Sequence, residues 1–294
     1  MRWITLGLLA WLVSLAGSGV APCPADEPKA DPARVLEEQR ARSDVTAKLL
    51  GVAVKTVESE HFIVHTTFDA VDAKKISDGL EEIDRQFKEA LGVQDKEFVW
   101  TGKVVVYAFA KPEEFATFSE KAHGYQGGAG GAYFRAALDQ AELVLPRKGN
   151  DERFKQDLTH EATHLLLHFY RRPGLIPNWL QEGLAQWAEF KAVPQCQARA
   201  DSRKRIASDL AQRKLLRLTA LVDDGRPVSA DDVVAYAYAW SLVDFLADTR
   251  RDKLVRFVRE LKDGVEQSVA AKKVFGDDIP NLEPQWIRFV DKYK

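Results

Sequence analysis

The sequence predicts an α+β fold. A small mixed or antiparallel sheet, about residues 51–150, precedes a mainly helical part, about residues 151–294. Three observations predict it. Stretches rich in β-branched and aromatic residues are confined to the first half, at 60–67, at 103–109 and at the pair 133–135 and 141–145. Beyond residue 150, long segments are free of such strand signals and are broken by Gly and Pro into helix-sized pieces. With 46% hydrophobic and 29% charged residues, the composition is that of a globular protein large enough for one core with two lobes. The formal net charge of −2 carries no electrostatic footprint for nucleic acid.

In chain order, Met1-Arg2 and the mostly apolar stretch 3–20, with small residues late, form the pattern of a secretory signal peptide. Residues 1–25 are therefore expected to be removed, after Ala21 or Ala25, and the protein to be secreted, periplasmic or held in the cell envelope. An uncleaved anchor is the one expected route to a membrane, because the stretch is near the lower length for a span. Residues 26–50 are expected to be a linker and a charged helix. The part up to 34 is rich in Pro, Ala and charge without apolar periodicity, and the helix covers 35–50. Cys23 and Cys196 are the only cysteines, too few for a disulfide framework or a zinc–thiolate site.

Residues 60–67 alternate enough for a strand, with His61 and His65 on one face and expected to point to solvent. Residues 70–91 repeat apolar side chains at Val71, Ile76, Leu80, Ile83, Phe87 and Leu91 and close on Gly92, a helix with its stop signal. Residues 103–109 read as a buried strand and 112–121 as a short helix opened by Pro112. The glycine-rich stretch 124–131 lacks a Gly-Lys-Ser ending, which excludes a phosphate loop. Residues 133–135 and 141–145 then read as the two strands of a hairpin.

The next helix carries His160-Glu161-Ala162-Thr163-His164 with Leu165-Leu166-Leu167 behind it. Positions four apart share a helix face, so both imidazoles can aim at one point, and Glu161 flanks that point. Two neutral nitrogen ligands, an open position for water and a carboxylate beside that water are what a hydrolytic zinc site needs. A chance match in a chain of this length is on the order of one per cent. Zinc needs a third protein ligand. His168 is about 12 Å along the helix from His160, too far to share one ion easily, and reads as a partly buried surface histidine. Leu167 and Tyr170 stand where the metzincin pattern requires Gly and His. The third option is a Glu on the following helix. Pro173, Gly174 and Pro177 turn the chain back, and Glu182 falls near the start of the antiparallel helix that follows.

The set His160-Glu161-x-x-His164, Trp179-Leu180-x-Glu182-Gly183-x-Ala185 and Glu189 resembles the gluzincin zinc metallopeptidases, in their peptidase MA-like and aminopeptidase N-like branches. The resemblance is tight over 157–189 and loose over most of 56–294. It implies a zincin-like fold with one zinc in the cleft between the sheet lobe and the helical lobe. It implies His160, His164 and Glu182 as the zinc ligands, Glu161 as general base, and a peptide or protein as substrate. Gln186 and Glu189, one and two turns beyond Glu182, become candidates to fix a ligand histidine. The resemblance also implies an edge strand beside the cleft to which extended peptide adds. Residues 141–145 are the candidate, with a plain sheet edge as the alternative. The Gly-Ala-Met-Glu-Asn signature of aminopeptidase N relatives is absent, so aminopeptidase activity is not carried over.

Residues 195–216 read as a strongly charged helix with a solvated face, 218–221 and 227–232 as connecting loop and cap, and 231–249 as a helix. The resemblance implies a Tyr on this last helix that stabilises the oxyanion. Tyr236, which opens a Tyr-x-x-Ala-Trp-Ser-Leu run, fits best; Tyr238 is the alternative, and either ring could instead anchor the core. Residues 254–290 read as helical with an aromatic end at Trp286 and Phe289. The functional expectation is a zinc-dependent peptidase. The alternatives are a catalytically silent zincin-like binding protein of the cell envelope, and an envelope structural protein whose helices only mimic the motif.

Overall fold

The structure is a computed structural model that describes residues 31–99, 102–125, 132–137, 140–171, 174, 176–222 and 233–294. The expected leader, most of the linker, residues 126–131 of the glycine-rich stretch, Pro173 and the cap at 227–232 lie outside the described residues.

The fold is α+β, as the sequence predicts. Strands β1 (Lys55–Glu58), β2 (Phe62–Thr66), β3 (Val104–Phe109), β4 (Tyr133–Ala137) and β5 (Gln140–Pro146) form one mixed sheet in the order β1-β2-β3-β5-β4. The central pairs β2–β3 and β3–β5 are parallel; β1–β2 and β4–β5 are antiparallel. All six residues of β3 are buried, because the sheet is covered on both sides and successive side chains point to opposite faces. Val104, Val106 and Ala108 enter the main core with Ile76, Leu80, Ile83 and Phe87 of helix α2 (Ala70–Leu91). Val105, Tyr107 and Phe109 enter a second core with Phe115 and Phe118 of α3 (Pro112–His123) and Ala47 of α1 (Pro32–Lys48). Helix α2 stops where predicted, at Gly92, whose φ of 59° is left-handed and suits glycine.

Two expectations are corrected here. The strand expected to be the sheet edge, 141–145, lies inside β5 and is paired on both sides; the edge beside it is β4. A crossover through α3 places β5 next to β3, and pairing over that distance leaves no local trace in sequence. The histidines expected to face solvent do not. His65 is buried, its ring stacked on Tyr107 at 5.4 Å and its Nδ1 3.0 Å from Thr56 Oγ1. His61 is partly buried against Glu81, with Nδ1 to Oε2 at 2.7 Å. The Lys88 ammonium joins this group, bonded to Asp84 and Asp95 and 3.3 Å from His61 Nε2, so the cluster carries its own cation.

The helical part is α4 (Asp151–Phe169), α5 (Asn178–Ala192), α6 (Gln197–Ala211), α7 (Leu218–Leu221), α8 (Val233–Thr249), α9 (Arg251–Lys262), α10 (Gln267–Phe275) and α11 (Glu283–Val290). The tail expected to be helical is thus three helices in succession. No described helix is long and apolar enough to cross a membrane. Helix α4 starts on Asn150, whose side chain accepts from Arg153 N. It buries Phe154, Leu158, Ala162, Leu165, Leu166 and Phe169 in the main core, so its other edge is free for polar chemistry. The turn between α4 and α5 is held by the buried Lys262, whose ammonium donates to His168 O at 3.2 Å and Gly174 O at 3.1 Å. Burial pushes this ammonium down to about 8.

Helix α5 packs against α8 through Gly183. A Cβ at this position would lie 2.6 Å from Ala239 O and 2.6 Å from Val243 Cγ2. Only glycine lets the two backbones approach this closely. Gly183→Ala is therefore expected to destabilise the protein by about 1–3 kcal/mol, read as a lower thermal midpoint. An unchanged midpoint would mean that the two helices stand farther apart.

Candidate active site

Helices α4 and α5 bring three of the expected residues together. His160 and His164, one turn apart, turn their Nε2 atoms to within 3.1 Å of each other. Glu182, in the first turns of α5, places Oε2 3.4 Å from each of those nitrogens. His164 and Glu182 are buried and His160 is partly so. The antiparallel course predicted for the two helices makes this possible: Glu182 meets His160 and His164, while Glu189, farther along α5, meets Gln156, earlier on α4.

The arrangement fits a metal ion. Ligand atoms in tetrahedral contact with zinc, at bonds of 2.0–2.2 Å, stand about 3.3 Å apart, and the three atoms here are separated by 3.1–3.4 Å. Glu182 Oε2 is buried yet has no hydrogen-bond partner among the described residues, which is costly unless a cation meets it. Burial alone would raise the Glu182 carboxyl, but His164 and His160 hold it well below the usual carboxylate range. Two imidazoles and one carboxylate are the donor set of a catalytic rather than a structural zinc site.

The surroundings fix the first histidine. Glu189 Oε2 lies 3.3 Å from His160 Nδ1, and Glu189 Oε1 accepts from Gln156 Nε2 at 3.2 Å. A proton on Nδ1 leaves the Nε2 lone pair directed at the converging atoms. Of the two candidates named for this task, Glu189 does it. Gln186 instead lines the cleft, and its Oε1 is buried without a partner among the described residues. Sequence reasoning missed Gln156. Its signal was the spacing 156, 160, 164, the same helix face continued one turn back.

Glu161 is outside the three-atom cluster and faces a cleft of about 740 Å³ that His160, Gln186, Glu189 and Tyr236 also line. Burial raises its carboxyl, against the pull of His160 and His164. The two tyrosines of α8 separate cleanly. The Tyr236 ring stacks near His160, centroids 6.4 Å apart. Burial, then Glu182 and Glu161, push its phenol up, so it stays protonated and can donate. Tyr238 is fully buried, packs on Trp286 and donates to Asp209 Oδ2 at 3.0 Å; it anchors the core. His168 is partly buried beside Phe134, away from the cluster. Helix α6, expected to be a solvated face, contributes Ala198, Asp201, Ser202 and Arg205 to the cleft wall.

A family model described as the peptidase MA superfamily matches residues 148–292, from the approach to α4 through α11. No curated protein matches the chain. The match supports a zincin-like metallopeptidase domain and does not extend to the aminopeptidase N-like branch.

Proposed function

Residues 148–292 belong to the peptidase MA superfamily, and on that premise we propose that the protein is a zinc-dependent peptidase that acts outside the cytoplasm. The observation that carries this reading is the convergence of His160 Nε2, His164 Nε2 and Glu182 Oε2 within 3.1–3.4 Å of one another, with His160 also lining the cleft that Glu161 and Tyr236 face. These three residues would hold one zinc per chain. Zinc bound there supplies a Lewis acid for a carbonyl and a water whose pKa is near neutral.

This chain's own groups do the rest. Glu161 takes the proton of the attacking water and passes it to the leaving amine. Glu189, steadied by Gln156, keeps His160 in one tautomer. Tyr236 donates to the oxygen on which charge develops, a contribution of a few kcal/mol in comparable sites. An extended peptide has an edge to join at β4, whose outer side has no described partner and whose preceding residue, Ala132, lines the cleft. The leader read in residues 1–25 is the support for action outside the cytoplasm.

Tyr236→Phe is expected to keep its zinc and lose about 10²-fold in kcat, the low end for one oxyanion donor. Tyr238→Phe should leave turnover near that of the parent and cost about 1 kcal/mol of stability, because its hydroxyl bonds Asp209 and not the converging atoms. Steady-state kinetics of the two variants checks this; a larger catalytic loss in Tyr238→Phe would overturn the placement of Tyr236. The reading as a whole is tested by elemental analysis of the purified chain. About one zinc per chain is expected, and a chain that takes up none would overturn it.

A further inference from the structure

Two arginines line the cleft that His160, Glu161 and Tyr236 face: Arg153 on α4 and Arg205 on α6. Each is tethered at one nitrogen by an aspartate four residues on. Arg153 Nη2 lies 2.6 Å from Asp157 Oδ1, and Arg205 Nε donates to Asp209 Oδ2 at 2.9 Å. Asp209 also accepts from Tyr238 on α8 at 3.0 Å, so the carboxylate that orients Arg205 is itself fixed to the helix carrying Tyr236. The two Nη groups of Arg205 and the Nε and Nη1 of Arg153 have no partner among the described residues.

The paired end of a guanidinium matches a carboxylate bidentately. A guanidinium already oriented through Nε gives up less rotamer freedom when it binds one. Of the four acids that line the cleft, Glu161 is the one read as the general base, and the other three are engaged elsewhere. Glu189 is engaged by His160 and Gln156, Asp157 by Arg153, and Asp201 accepts from Gln197 at 2.8 Å. Small and apolar side chains, among them Ala198, Val233 and Ala237, line the same space.

We propose that the cleft selects peptides by a carboxylate, seated on the Nη edge of Arg205 with Arg153 as the second cation. The substrates are then acidic peptides, through a Glu or Asp side chain near the scissile bond or through a free C-terminal carboxylate. This rests on the peptidase reading of the same cleft.

The test is binding, measured by fluorescence anisotropy on the zinc-loaded Glu161→Gln chain, which keeps the cleft without turnover. Three labelled peptides of otherwise identical sequence serve as probes: one with an internal Glu and an amidated C-terminus, one with Gln and an amide, and one with Gln and a free C-terminus. A carboxylate-bearing peptide should bind about tenfold tighter than the neutral one, as expected of a charge-assisted pair at a half-exposed site. Whichever of the two shows the gain identifies the source of the carboxylate. Arg205→Gln in the same background should bring the ratio toward one, and Arg205→Lys, which keeps the charge but not the fork, should fall between. Should Arg205→Gln fail to fold, the Lys variant and Arg153→Gln carry the comparison. Equal affinities, a ratio that survives the loss of Arg205, or no binding of any peptide would overturn the proposal. Parallel turnover by the parent chain separates the two readings. Cleavage without carboxylate preference removes this proposal and leaves the peptidase; preference in binding with no cleavage leaves a carboxylate seat in the cleft and removes the peptidase reading, and with it the claim that these peptides are substrates.

Discussion

Glu161→Gln is expected to bind zinc like the parent and to lose activity by about 10²–10⁴-fold, the usual weight of a general base. Glu161 is one residue from His160 and so points about 100° around the helix from it. The converging atoms belong to His160, His164 and Glu182, while Glu161 lines the cleft. Glutamine keeps the shape of the side chain and its capacity to hydrogen-bond, but it cannot take the water's proton. Zinc content and turnover measured on one preparation separate the two effects. A variant that keeps turning over would remove the general-base role and the hydrolase reading with it.

Removal of a ligand should act on the metal itself. His160→Ala, His164→Ala and Glu182→Ala are each expected to lose most of the zinc. The drop in affinity should exceed the 10–100-fold that follows loss of a ligand's hydrogen-bond partner. Glu182→Ala is the informative member, because α5 offers a second carboxylate. Glu189 is spoken for: its two oxygens face His160 Nδ1 and Gln156 Nε2 at 3.3 and 3.2 Å, on the far side of the His160 ring from Nε2. It can steady a ligand from there without replacing one. Full zinc retention in Glu182→Ala, measured after dialysis against metal-free buffer, would sink the assignment of Glu182 and promote Glu189.

What the sequence made legible is what depends on short spacing. His160 and His164 share a face because they are four apart on one helix, and Glu182 could be placed because Gly174 and Pro177 bound the turn that sends α5 back along α4. The helix stop at Gly92 and the alternation of β3 are equally local. The misplaced features are those set by distant pairing. β5 is interior because a crossover lays it beside β3, and His65 is buried because α1 and neighbouring strands cover its face. Helix α6 reads as solvated because its composition is charged, and in the fold Ile206 is its one buried residue. Only the fold shows that one of its sides forms a wall of the cleft, and that Arg205, legible in sequence as half of an ordinary i,i+4 pair with Asp209, stands there with its Nη groups open.

The central claim, a metal-dependent peptide hydrolase, is tested most directly by exposing a mixed peptide library to the zinc-loaded protein, to the chelator-treated protein and to the treated protein with zinc restored. The account predicts new peptide termini with the first sample, none with the second and recovery with the third. Zinc bound at about one per chain with the library left intact would contradict it.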